Sequence, residues 1–188
     1  MNLRRPGGEK VRPWIIGKNL RVRIRHNYRN INELGTDRLV NVYGGVKIYG
    51  APLLIFDYGT ALTCDFVSKK GVFLGGLIIP GPEISFNALS EQTALLPKIR
   101  FPKRFPSLLG NDPRGCMKAG ILQSYGALTD GLVERFRRRF GNQFKVLATG
   151  GLAKTIAPYT SHLKIVDPLL TLRGLAAVYK DYVVQLPS

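Results

Sequence analysis

Cysteine and histidine are nearly missing from this chain of 188 residues. Its two cysteines, Cys64 and Cys116, form no Cys-x-x-Cys pair, and neither His26 nor His162 stands at ligand spacing from them, which argues against a zinc site. Two unpaired thiols and no secretory signal fit a reducing cytoplasm, the expected location. Long apolar runs are lacking too. The stretches at 52–56 and 72–82 are too short and interrupted to span a bilayer, so no membrane partner is expected. Neither a Walker-type loop nor a Ser/His/Asp set is visible. With 45% hydrophobic and 21% charged residues, the composition is that of a globular chain with one sizeable core.

Acidic residues are also few: 12 Asp and Glu against 28 Lys and Arg, a formal net charge of +16. Before residue 30, Arg4, Arg5, Lys10, Arg12, Lys18, Arg21, Arg23, Arg25 and Arg29 face only Glu9. Two further clusters lie at 98–104 and 135–139. Such a field attracts polyanions. Basic segments alone specify no binding fold, so a solvated surface is the simpler reading and nucleic acid is not the expected partner.

Residues 1–12, rich in Arg, Gly and Pro, read as a basic flexible tail. Residues 14–17 and 20–25 read as short strands, the second alternating Leu20, Val22 and Ile24 with arginines. Asn32 is placed to cap a helix running to about Tyr49, weakened by Gly44-Gly45. Strands are predicted at 53–58, 61–68 and 72–79, with Lys69-Lys70-Gly71 as a hairpin turn. A helix follows over 84–95, a Pro-rich basic loop over 97–113, and a long helix over 115–140. Strands at 145–148 and 163–166 flank a short helix, and Asp167-Pro168 opens the last helix, with Pro168 in its first turn. Antiparallel strands followed by alternating strands and helices predict an α/β fold, a mixed sheet flanked by helices. The order is that of a ribonuclease-H-like unit of the actin and sugar-kinase type. The expected divisions are the tail (1–12), a first-lobe remnant with a linking helix (13–50), and a C-terminal ribonuclease-H-like lobe (51–188).

Three segments could carry chemistry. Gly35-Thr36-Asp37-Arg38 opens a helix, where a carboxylate gains from the N-terminal field. Asp37 could take a proton from an alcohol and Arg38 could fork onto a carboxylate, or the pair could simply cap the helix. Asp57-Tyr58-Gly59-Thr60 ends an apolar strand; Asp57 could hold a cation and Gly59 and Thr60 an anion, or the segment could be a polar turn. Thr149-Gly150-Gly151, between a strand and a helix, could receive a nucleotide or serve only as a tight turn.

The ordered set of motifs resembles the type III pantothenate kinases. It comprises Tyr28, Glu33-Leu34-Gly35-Thr36-Asp37-Arg38-Leu39-Val40-Asn41, Phe56-Asp57-Tyr58-Gly59-Thr60-Ala61 and Gly75-Gly76-Leu77-Ile78-Ile79-Pro80-Gly81. Ala94-Leu95-Leu96-Pro97, Thr149-Gly150-Gly151-Leu152 and Asp167-Pro168-Leu169-Leu170-Thr171-Leu172-Arg173-Gly174-Leu175 complete it. The resemblance implies ATP-dependent phosphorylation of pantothenate, the first step of coenzyme A biosynthesis. It implies that Asp37 is the catalytic base and that Tyr28, Gly35, Thr36, Asp37 and Arg38 bind pantothenate. Asp57 would ligate a monovalent cation, potassium or ammonium, while Gly59, Thr60, Gly150 and Gly151 would lie at the ATP site. Magnesium and a homodimer are implied as well.

The sequence departs from the family at several points. The family's Asp-x-Gly-Asn-Thr phosphate loop has no counterpart before residue 14, so the chain reads as truncated and possession of full activity is open. Pro113 falls where the family has a substrate-contacting threonine, Ile31 replaces a usual proline, and Leu62 replaces a usual threonine. Two rival readings follow: a non-catalytic regulatory or partner-binding relative, and a basic nucleic-acid-binding module.

Overall fold

The computed structural model describes residues 13–183 together with Leu3–Arg4 and Lys10–Val11. These two dipeptides, β1 (Leu3–Arg4) and β2 (Lys10–Val11), pair antiparallel; the rest of the predicted tail lies outside the described residues. The main sheet has six strands: β3 (Arg25–His26), β4 (Leu53–Tyr58), β5 (Ala61–Val67), β6 (Val72–Pro80), β7 (Lys145–Thr149) and β8 (Ile165–Val166). Their spatial order is β3-β6-β5-β4-β7-β8. The β4-β5 and β5-β6 pairs are antiparallel, whereas β3 runs parallel to β6, β7 to β4 and β8 to β7. The helices are α1 (Thr36–Tyr49), α2 (Pro82–Gln92), α3 (Pro113–Phe140), α4 (Ala153–Ile156) and α5 (Leu170–Val183). This is the mixed sheet flanked by helices that the sequence predicts.

Alternation along the strands sorts the side chains onto two faces. Leu54, Phe56, Tyr58, Leu62, Cys64 and Phe66 join Phe86 of α2 and Met117, Ile121, Leu122 and Tyr125 of α3 in one core. Leu53, Ile55, Val67, Phe73 and Leu147 face the other way and pack with Val42 of α1 and Leu170 of α5. Each such fully buried aliphatic side chain stabilises the fold by about 1.5–3 kcal/mol.

Where observed elements differ from prediction, a local cause is present. The alternation at 20–25 is real in burial, Leu20 being buried and Arg21 and Arg23 exposed, but only Arg25–His26 finds a ladder partner. At 14–17 a turn forms, closed by a bridge between Ile16 and Leu20. The predicted cap at Asn32 moves: Asn30 accepts from the Asn32 amide at 3.2 Å and starts a 3₁₀ turn at Ile31–Glu33, while Gly35 precedes α1. Gly44 and Gly45 sit buried in mid-helix instead of weakening its end. A Cβ on Gly44 would lie 2.6 Å from Cα of Gly174 in α5, and one on Gly45 would strike Leu53 and Ile55. Their absent side chains let α1 lie close against both α5 and the sheet. Pro113 is the first residue of α3, capped by Asp112, whose Oδ1 accepts from the Gly115 amide at 2.9 Å. Pro168 falls just before α5, where Asp167 Oδ1 accepts from the Leu169 amide at 3.0 Å. His162, in the loop before β8, is partly buried. Its Nε2 lies 2.9 Å from Glu134 and its Nδ1 3.2 Å from Arg137. Among the described residues, no helix is long and apolar enough to cross a membrane.

Candidate active site

The polar residues gather at the carboxyl ends of the parallel pair β4 and β7, where open α/β sheets place their ligands. The Gly59-Thr60 turn fixes the register of the β4-β5 hairpin, with Asp57 opposite Thr63 and Ile55 opposite Asp65. Asp57 is also paired with Thr149 of β7. Period-two alternation therefore puts Asp57, Thr63, Asp65 and Thr149 on the face that α1 covers. The same face is apolar at its lower end and acidic at its upper end.

α1 brings three polar side chains onto this acidic end. Asp37 is exposed in the first turn, its Oδ1 accepting from the Arg38 amide at 2.8 Å. One turn on, buried Asn41 donates from Nδ2 to Asp57 Oδ2 at 2.7 Å, and its Oδ1 accepts from Thr171 Oγ1 of α5, also at 2.7 Å. Burial pushes the Asp57 carboxyl above its ordinary value; the Asn41 hydrogen bond opposes the rise, and the charges of Asp37 and Asp65 add to it. The charge of Asp37, one turn before Asn41 on α1, is thus felt at Asp57.

Arg38 behaves differently from its sequence expectation. Two of its guanidinium nitrogens are taken up by a carboxylate within the protein. Nε donates to Asp65 Oδ2 at 3.1 Å and Nη2 to Oδ1 at 2.5 Å, both side chains being buried. The pairing has a plain cause: burial pushes the Asp65 carboxyl above its ordinary value, and the arginine fork opposes the rise. Burial works to lower Arg38, but Asp65, with Tyr28 assisting, raises it overall. Tyr28 in turn stacks on Phe73 with ring centroids 5.8 Å apart. Gly76 makes room for the pair, since a Cβ there would overlap Asp65 Oδ1.

The second half of the site lies beside the first. Gly59, Thr60 and Gly151 line a cleft of about 470 Å³ with Tyr58, Glu83, Ile84, Asn87 and Leu152. Gly150, at φ +90, backs onto Asp57; a Cβ there would overlap Asp57 Oδ1. Here the glycine is required twice, by its positive φ and by close approach. Gly35 and Thr36 are exposed beside Asp37.

Sequence reasoning gave no role of their own to Asn41, Asp65 or Thr171, and it named Thr149 only as part of the Thr149-Gly150-Gly151 turn. Asn41 was detectable, being four residues from Asp37 on one helix, and so was Asp65, eight from Asp57 across a tight hairpin. Thr171 carries no local signal, because it meets Asn41 only through tertiary packing.

A half-buried carboxylate beside two like charges fits a compensating cation, and an open cleft edged by glycines fits a phosphate-bearing nucleotide. Fold and site together define a ribonuclease-H-like α/β protein with a strand-end acidic cleft, the architecture of the actin-like phosphotransferases. The chain belongs to the type III pantothenate kinase family, whose sequence profile matches residues 7–135. It is 39% identical over 171 residues to the type III pantothenate kinase of Bacillus cytotoxicus. That match covers 91% of this chain and 65% of the relative, so the chain spans about two thirds of that protein's length. A crystal structure described as a conserved putative Baf family transcriptional activator from Campylobacter jejuni shares the fold. Its TM-score is 0.58 at 24% identity, covering 87% of this chain and 70% of that one.

Proposed function

We infer that the chain phosphorylates pantothenate with ATP to give 4'-phosphopantothenate in coenzyme A biosynthesis. The observation that carries this reading is the hydrogen bond that ties Asn41, one turn from Asp37 on α1, to Asp57 at the strand end, with the cleft edged by Gly59, Thr60 and Gly151 beside it. In it, the exposed Asp37 carboxylate accepts the proton of the substrate hydroxyl. The hydroxyl oxygen bonds to the γ-phosphorus as the bond from phosphorus to the bridging oxygen of ADP breaks. Gly35, Thr36 and Tyr28 hold pantothenate near Asp37, with Arg38 acting chiefly as a buried strut. Gly59, Thr60, Gly150 and Gly151 hold the nucleotide through backbone approach. A potassium or ammonium ion at Asp57, and magnesium on the phosphates, supply positive charge there when bound. A homodimer in the cytoplasm belongs to the same reading. Exposed Leu172, Leu175 and Tyr179, with Leu169 just before the helix, give α5 an apolar face of the kind a second subunit covers.

The test is direct. Purified protein given pantothenate, ATP, magnesium and potassium should form phosphopantothenate, and Asp37→Asn should lower turnover by about 10²–10⁴-fold without moving the thermal midpoint. No product from the unsubstituted chain, or undiminished turnover in the variant, would overturn the proposal.

A further inference from the structure

Thr149 is 1% exposed, and among the described residues its Oγ1 has no hydrogen-bond partner. A buried hydroxyl left without a partner costs about 1–3 kcal/mol, so its retention asks for a reason. Position suggests one. Thr149 is the direct ladder partner of Asp57 on the parallel neighbour strand. The two side chains therefore rise from the same face, on backbones roughly 4.8 Å apart. The Asp57 carboxylate is itself oriented: Asn41 engages Oδ2, Thr171 fixes Asn41, and Oδ1 is left on the Gly150 side.

We propose that the Thr149 hydroxyl is a second protein ligand of a monovalent cation held at Asp57, with Asn41 and Thr171 positioning the carboxylate. The inference rests on the reading of Asp57 as the cation's anchor. A hydroxyl and a carboxylate are hard oxygen donors, the type that suits an alkali ion or ammonium. The hydroxyl oxygen spends a lone pair on the ion, and its proton turns away from it. Its lack of a protein partner is then the property that keeps it available.

Thermal unfolding of the full chain in potassium chloride, against choline chloride at equal ionic strength, reads this without turnover. The wild type should melt higher in potassium, and Asp57→Asn should lose that response. Thr149→Val should weaken apparent potassium affinity at least about tenfold, and Thr149→Ser should stay within about threefold of wild type. In choline, Thr149→Val should melt no lower than wild type, because the lost hydroxyl serves no partner in the protein. If Thr149→Val keeps the full potassium response while Asp57→Asn loses it, Asp57 stands as the anchor and the role of Thr149 is refuted. If Thr149→Val melts markedly lower in choline, the hydroxyl is structural and the proposal falls. If the wild type ignores potassium, or Asp57→Asn responds as wild type does, the reading of Asp57 fails and takes the inference with it.

Discussion

A single arginine separates two ways of using the same motif. Read as a string, Arg38 beside Asp37 suggests a fork aimed at substrate, whereas its guanidinium is spent on Asp65 behind the cleft wall. Removing one partner of such a buried pair leaves the other uncompensated. Arg38→Ala should therefore destabilise the protein by about 3–5 kcal/mol, read from the urea midpoint at unchanged slope. Arg38→Met combined with Asp65→Leu should recover most of that loss, since an apolar pair of similar size removes the unpaired charge. If the double substitution is as damaging as the single one, the pair has another role. Asp37 and Asp57 were legible in sequence because helix starts and strand ends are where acids reach ligands. Asp65 and Asn41 stood at detectable spacings and Thr149 was named within its turn, but what each does depends on which face of a strand or helix it occupies, and the hairpin register sets that.

At the scale of elements, the sequence located every strand of the β4-β5-β6 meander within a residue or so, since turns and alternation mark those boundaries. It misjudged α1. Gly44-Gly45 resembles a helix end in propensity terms, yet the close approach of Gly44 to Gly174 makes the pair a packing device. The two kinds of helical glycine should therefore respond oppositely to substitution. Gly120→Ala, on an exposed face of α3 with nothing near the new methyl group, should stabilise by roughly 0.5–1 kcal/mol. Gly44→Ala should destabilise by about 1–3 kcal/mol despite the better propensity, because the backbones would have to part. Equal effects at both positions in chemical denaturation would contradict the close contact.

The tie between α3 and the loop before β8 gives a pH-dependent counterpart. Partial burial pushes the Asp130 carboxyl up, but donation from the Ser161 amide, the Thr160 hydroxyl and the His162 amide outweighs it and holds the group below its ordinary value. A carboxylate depressed in the folded state adds stability above its unfolded pKa of about 3.9, and the addition disappears as pH falls through the lower folded value. The gap in thermal midpoint between wild type and Asp130→Asn should thus be full at neutral pH and narrow below about pH 4. A gap that does not change with pH would place the effect elsewhere.

Over the whole molecule, the surplus of 28 basic over 12 acidic residues is the least local property of the chain. It was fully legible in sequence, and in the fold Lys18, Arg21 and Arg23 line a cleft of about 280 Å³ that they share with Asp181 and the rings of Tyr43 and Tyr182. Binding to duplex DNA should accordingly be non-specific and should fall by orders of magnitude between about 50 and 200 mM salt. Retention of one sequence at the higher salt, in a filter-binding titration, would favour the nucleic-acid reading instead. What no sequence pattern revealed is how strands and helices from distant parts of the chain share one core. Leu34 and Val42 pack in one cluster with Leu147 and Leu170, more than a hundred positions away.

The contact of Gly44 with Gly174, together with the clasp of Asn41 by Thr171, gives the helix that opens with Asp37 a support made more than a hundred positions later. During synthesis, the acids near the front of the chain emerge long before that support exists. A nascent chain therefore carries the whole acidic pocket in its sequence and none of it in working order. Only the emergence of α5 from the ribosome's exit tunnel would complete that support, so the acids would stay unbraced until that helix has been made.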